Sequence, residues 1–141
     1  MYHHRTTRVA ALLVPALIVA LGACGEDSDS EAVDVEGVEL QLVELTGMPI
    51  PAAANPTLLL EEGAASGDAG CNRFTGEYTL DGESIEFGPF AVTLMACEPA
   101  IDEFERAYLA ALGTADTIEV TDDAVVVSTG GADGQLRYEQ P

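Results

Sequence analysis

Along VELQLVEL, residues 38–45, apolar and polar side chains alternate, which is the period of a strand with one face on a core. A proline-rich connection, GMPIPAAANP, separates it from a second strand, TLLLE at 57–61. RFTGEYTL and ESIEF flank Asp81-Gly82 and predict a hairpin. TIEV, AVVVS and QLRYE follow near the C-terminus, separated by TDD and TGGADG, and predict a three-stranded meander. A longer period occurs in EPAIDEFERAYLAALG, where Ile101, Phe104, Tyr108, Leu109 and Leu112 recur at helical spacing. Pro99 suits the first turn of that helix and Gly113 the residue after its end. One small, mainly β domain is expected, with a single α-helix packed on or across an antiparallel sheet. Closure of the sheet into a barrel would remove its exposed edges.

The N-terminus has a different pattern. MYHHRTTR carries Arg5 and Arg8 without an acid, an apolar run interrupted by Pro15 follows, and LGAC comes next. This is the pattern of a lipoprotein signal peptide over residues 1–23. Gly22 and Ala23 admit a peptidase, and Cys24 supplies the thiol for diacylation. Residues 24–34, acidic and polar, predict a flexible linker between lipid and domain, and the domain is expected over 35–141. The implied location is the extracytoplasmic face of a cell membrane, reached through the lipid anchor.

Charge and histidine content then narrow the chemistry. Arg5 and Arg8 leave with the signal peptide while all 25 acids remain, so the net charge moves from −20 to −22. The remaining cations are Arg73, Arg106 and Arg137, and there is no lysine. So acidic a chain repels phosphate backbones and anionic headgroups, which argues against nucleic-acid binding and electrostatic docking on membranes. His3 and His4 both lie in the signal peptide. The exported part therefore has no histidine for a nucleophile–base pair or a zinc site, and no lysine for covalent catalysis. DSDSEA, from Asp27, alternates acids but has Ala32 where a calcium loop needs glycine, so no metal and no other cofactor is expected.

GDAGCNRFTGEY, residues 67–78, concentrates less common residues. On a regular strand Asn72, Phe74, Gly76, Tyr78 and Leu80 share one face, so Asn72 faces inward and Arg73 outward. A buried asparagine amide can bond a neighbouring strand or turn, and Gly70 permits the tight backbone beside it. The alternative role is a clamp for an anion or a peptide carboxylate, made by Asn72 and the bidentate donor Arg73. With Cys24 acylated, Cys71 and Cys97 are an even pair in an oxidising compartment, which predicts a disulfide; two buried free thiols are the alternative.

Together SGDAGCNRFTGEY, IEFGPFAVTLMAC and EFERAYLAAL resemble the META domain, found in heat-inducible HslJ-type bacterial lipoproteins. The resemblance runs from Val38 to Glu139 and rests on Gly70, Cys71, Asn72, Arg73, Phe74 and Gly76, with Thr93, Met95 and Cys97 downstream. This chain departs from it in having no tryptophan in the first strand and Leu94 where the family often has arginine. The resemblance implies a small antiparallel barrel crossed by one helix, no catalytic activity, and association with envelope stress tolerance, antibiotic resistance and secretion.

Glu105 lies in the middle of the apolar stripe of the helix, four residues from Ile101 and Leu109. A carboxyl group there needs a cation or several hydrogen bonds. Arg73 is the expected partner, ahead of Arg137, because the signature resembled carries both this arginine and a helix glutamate. That pairing needs a bulge to turn Arg73 inward. The local alternative has Asp102 as N-cap and Glu105 bonding back to it.

The expected function is non-enzymatic: a membrane-anchored lipoprotein that binds an unidentified envelope protein or supports stress tolerance. A second reading is a barrel carrying a lipid or another apolar molecule in a cavity of about 300 Å³ or more. A third, a carboxylate enzyme, requires two acids about 5 to 9 Å apart in a cleft.

Overall fold

The computed structural model describes residues 34–130 and 134–141. Residues 1–23, read above as a signal peptide, Cys24 and most of the stretch expected to be a linker lie outside the described residues. The elements are β1 (Glu39–Leu45), β2 (Thr57–Glu61), β3 (Ala64–Asp68), β4 (Arg73–Asp81), β5 (Ser84–Phe87), β6 (Ala91–Val92), α1 (Pro99–Gly113), β7 (Ala115–Val120), β8 (Val125–Thr129) and β9 (Gln135–Glu139). Eight strands form a closed antiparallel barrel in the order β3-β2-β1-β9-β8-β7-β5-β4, with β4 returning to β3, and β6 attaches to β4 outside that ring.

Most of these elements follow the alternation of the sequence; β3 and β6 do not. β3, AASGD, has small side chains and so little hydrophobic contrast. It is joined to β2 by a two-residue turn in which Glu62 has φ 50° and Gly63 φ 83°. Two successive positive φ values are the geometry of a hairpin turn normally written Asn-Gly or Asp-Gly, so Glu-Gly gives a weak signal. β6 is two residues long, too short for periodicity to register. In the β4–β5 hairpin Asp81 pairs with Ser84, so the turn is centred on Gly82 and Glu83, one position beyond Asp81-Gly82.

β1 shows why strict alternation fails locally. Leu40, Leu42 and Leu45 are all buried, although Leu42 and Leu45 are of opposite parity. A register shift between Leu42 and Glu44 in the pairing with β9 absorbs the extra residue and leaves Val43 exposed.

α1 begins at Pro99 after Glu98, not after Asp102, so the N-capping alternative for Glu105 does not apply. Gly113 is the last helical residue and Thr114 is the cap, its hydroxyl donating to the carbonyls of Ala110 and Ala111 at 3.1 Å each. The helix buries Phe104, Glu105, Tyr108 and Leu112. Phe104 and Tyr108 stack with centroids 6.0 Å apart, and Phe74 of β4 meets Tyr108 edge-on at 6.0 Å. The Tyr108 hydroxyl donates to the Thr57 carbonyl and accepts from the Tyr138 hydroxyl, each at 3.1 Å. Helix, β2 and β9 are thus joined through a polar seam within the apolar core.

These phenols set the alkaline limit of the fold. Burial, then the hydrogen bond and charge of Glu36, push the Tyr78 hydroxyl up to about 12. Burial likewise raises Tyr108 and Tyr138, which are fully enclosed. In the unfolded chain tyrosines titrate near pH 10. A raised folded pKa means that the stabilisation is complete below about pH 10 and is lost as the pH rises toward 12, because the unfolded chain releases protons that the folded chain retains. Without lysine, little else titrates there. In a spectrophotometric titration, phenolate absorbance is expected to lag that of free tyrosine and then appear together with loss of near-ultraviolet circular dichroism. Free ionisation at pH 10 with the fold intact would contradict this burial.

Candidate binding site: the loop from Thr93 to Glu98

The segment between β3 and β4 is built around Gly70. Its φ of 117° and its position, where an added Cβ would lie 3.1 Å from Phe104, restrict the site to glycine. The Gly70 amide donates to Asp68 Oδ1 at 2.7 Å, and the Ala69 amide to the Asn72 carbonyl at 2.7 Å. This tight turn points the next two amides at the helix. Cys71 N and Asn72 N donate to Glu105 Oε2 at 3.3 and 2.7 Å, and Asn72 Nδ2 donates to Glu105 Oε1 at 2.8 Å.

The expected Arg73–Glu105 pairing is therefore not formed. β4 runs in regular register with β3 from Arg73 onward, without the bulge that would be needed, and Arg73 is exposed. Consecutive backbone amides after a positive-φ glycine act as the acceptor's partner instead, an arrangement that receives an anion without a cation. The Gly-Cys-Asn spacing is the sequence signal that would have identified it.

The inward-facing Asn72, 4 % exposed, is the hub between helix and loop. Its Oδ1 accepts from Met95 N at 2.6 Å and Thr93 Oγ1 at 3.0 Å, while Nδ2 reaches the Met95 carbonyl at 3.5 Å as well as Glu105. Thr93 Oγ1 also accepts from the Arg73 amide at 3.1 Å. With two bonds accepted and two donated, the amide has no capacity left for a ligand, which rules Asn72 out of an anion clamp. Cys71 and Cys97 form a disulfide with Cα atoms 6.3 Å apart. The loop is thus held at Thr93 and Met95 by hydrogen bonds and at Cys97 covalently.

The other signature residues divide between core and surface. Phe74 is buried, and half-buried Gly76 leaves room for Phe90, which packs edge-on to Phe74 with centroids 5.2 Å apart. Met95, by contrast, enters the network through its main chain alone. Its side chain is 60 % exposed and that of Leu94 is 96 % exposed. No periodicity marks Leu94 as a surface feature; its exposure follows from where the loop is fastened.

Two open grooves adjoin this loop. One, of about 340 Å³, is lined by Asn72, Leu94, Met95, Ala96, Asp102, Glu105 and Arg106. The other, of about 380 Å³, is lined by Arg73, Thr75, Ala91, Val92 and Thr93. Among the described residues the grouping with metal-ligand proximity is Cys71, Cys97 and Asp102, and its two sulfurs are bonded to each other, so neither is a thiolate ligand. No other such grouping of ligand-type side chains is found among the described residues.

The fold is shared with solved structures. A protein from Burkholderia xenovorans, determined by NMR, is 27 % identical with a TM-score of 0.66, covering 76 % of this chain and 83 % of that one. A second NMR structure is 24 % identical with a TM-score of 0.61, covering 78 % and 92 %. A DUF4847-family protein from Bacteroides vulgatus shares the fold at 10 % identity, with a TM-score of 0.58 over 75 % of this chain and 94 % of that one. No curated protein matches the chain. The family model for the META domain matches residues 33–140, which takes in the Gly-Cys-Asn-Arg-Phe turn, the disulfide and the glutamate-bearing helix; the chain belongs to the META domain family.

Proposed function

We propose that this chain is an extracytoplasmic lipoprotein of the HslJ type, anchored through Cys24, whose META domain binds another protein of the cell envelope in stress tolerance or secretion. The observation that carries the binding role is the loop holding Leu94 and Met95 in water, 96 % and 60 % exposed, while Asn72 and the disulfide hold its backbone. Exposing large apolar side chains costs solubility, and fixing them beforehand lowers the entropy lost on association, a combination that marks an interaction surface. The interior favours this over an apolar-ligand carrier: Phe74, Phe104, Tyr108 and Tyr138 are all buried within it.

Two features support export and anchorage. The Cys71–Cys97 disulfide suits an oxidising compartment. LGAC presents Cys24 at a cleavage point, and two acyl chains, at about 0.8 kcal/mol per buried methylene, hold a protein durably at a membrane. Among the described residues no helix is long and apolar enough to cross a membrane. Replacement of Cys24 by serine is expected to abolish incorporation of labelled palmitate and to release the protein from membranes on fractionation. A Cys24→Ser chain as tightly bound as its parent would overturn the anchorage.

A further inference from the structure

We infer that the surface around Leu94 and Met95 receives an extended polypeptide segment that carries apolar side chains and a carboxylate. This rests on the reading of the domain as a binding module and identifies the chemistry of its partner. Three observations converge on it. Leu94 and Met95 are the most exposed large apolar side chains among the described residues. Each of the two adjoining grooves contains an exposed arginine: Arg106 lies in one together with Asp102 and Glu105, and Arg73 in the other with no acid among its lining residues. The exported chain has only three cations against 25 acids, so two of the three border a single patch. Finally β6, which leads directly into the loop, is the terminal strand of the sheet, paired with β4 on one edge.

Each observation restricts the occupant. An open strand edge accepts an extended backbone, and neighbouring apolar side chains accept alternate residues of such a segment. The guanidinium of Arg73, in the groove lined by no acid, favours a carboxylate, which arginine can bind in bidentate fashion. A second copy of this chain fits poorly, since two bodies of net charge −22 repel. A lipid surface also fits poorly, because an exported chain of net charge −22 repels the anionic headgroups of a membrane.

The sign of one charge effect tests the inference. The full chain, as isolated from cells, is titrated into a labelled leucine-rich peptide containing one glutamate, and into the same peptide with glutamine in its place. The overall field of the protein predicts weaker binding of the glutamate peptide; the two local arginines predict tighter binding. The expected result is tighter binding of the glutamate form, an advantage abolished by Arg73→Gln with Arg106→Gln. Leu94→Ser with Met95→Ser is expected to weaken both peptides by roughly tenfold. All four positions are exposed, so these variants are expected to unfold in urea at the parent's midpoint.

Equal or weaker binding of the glutamate peptide would overturn the inference, as would affinities unaffected by the serine substitutions. It would likewise fail if Cys24→Ser protein bound phosphatidylcholine vesicles through Leu94 and Met95, or if the patch drove self-association in sedimentation. Peptide affinity does not depend on where the chain is anchored, so a failed Cys24→Ser fractionation would reject the location and leave this result standing.

Discussion

Glu105→Ala is expected to destabilise the domain by about 3 to 5 kcal/mol, while Arg73→Ala is expected to cost less than about 0.5 kcal/mol. The reason is the number and burial of the donors. Removing the carboxyl group leaves the amides of Cys71 and Asn72 and the Asn72 side chain without their acceptor, inside a contact where Glu105 is only 9 % exposed. Hydrogen bonds to a charged acceptor contribute about 1.5 to 3 kcal/mol each, and three that share one group are not additive. Against a total stability of about 5 to 15 kcal/mol, this loss removes a large fraction of the folded-state margin. Glu105→Gln retains oxygen acceptance on one side but presents an amide to the other donors, so an intermediate loss is expected. Urea denaturation of the oxidised protein measures all three. A double-mutant cycle is expected to give a coupling well above zero for Asn72 with Glu105 and a coupling near zero for Arg73 with Glu105. The reverse pattern would mean that the helix is held by the arginine after all.

Removal of the disulfide by Cys71→Ser with Cys97→Ser is expected to cost about 3.5 kcal/mol, the entropy of closing a loop with a sequence separation of 26. The local effect should exceed what stability alone reports. Cys71 immediately precedes Asn72, and Cys97 lies two residues beyond Met95, so the bridge clamps the stretch that Asn72 holds by hydrogen bonds. Without it the Met95 amide, which donates to Asn72 Oδ1 at 2.6 Å, should exchange with solvent much faster than the amides of β8. Hydrogen exchange at these positions separates loosening of the loop from global loss of stability. In the parent protein, unfolded but not reduced, neither thiol should react with an alkylating agent. Quantitative alkylation of both would show that the bridge is absent in the protein as produced.

Periodicity and turn chemistry in the sequence determined much of the barrel. Alternation located β1, β2, β4, β5 and the β7–β9 meander, and the single run of helical spacing located α1, because the signals that stabilise these elements are local. The inward position of Asn72 follows from strand parity alone, and the Cys71–Cys97 pairing from cysteine parity once Cys24 is read as the acylated residue. The need of Glu105 for several polar partners was also evident, since no carboxyl group sits in an apolar stripe without them.

The pairings that depend on backbone direction and on segments distant in sequence arise only in the assembled fold. β3 exists because β2 and β4 flank it and supply its hydrogen bonds; its own side chains say little. The bulge in β1 follows from pairing with β9, nearly a hundred residues away, and no local pattern encodes that register. Glu105 chose backbone amides over arginine because a glycine at φ 117° aims two successive N–H groups at the helix, a direction that side-chain identities do not carry. Leu94 and Met95 became a surface for the same reason. Their apolar character alone would place them in the core, but a loop tied down by the Met95 main chain and by Cys97 leaves their side chains only solvent to face.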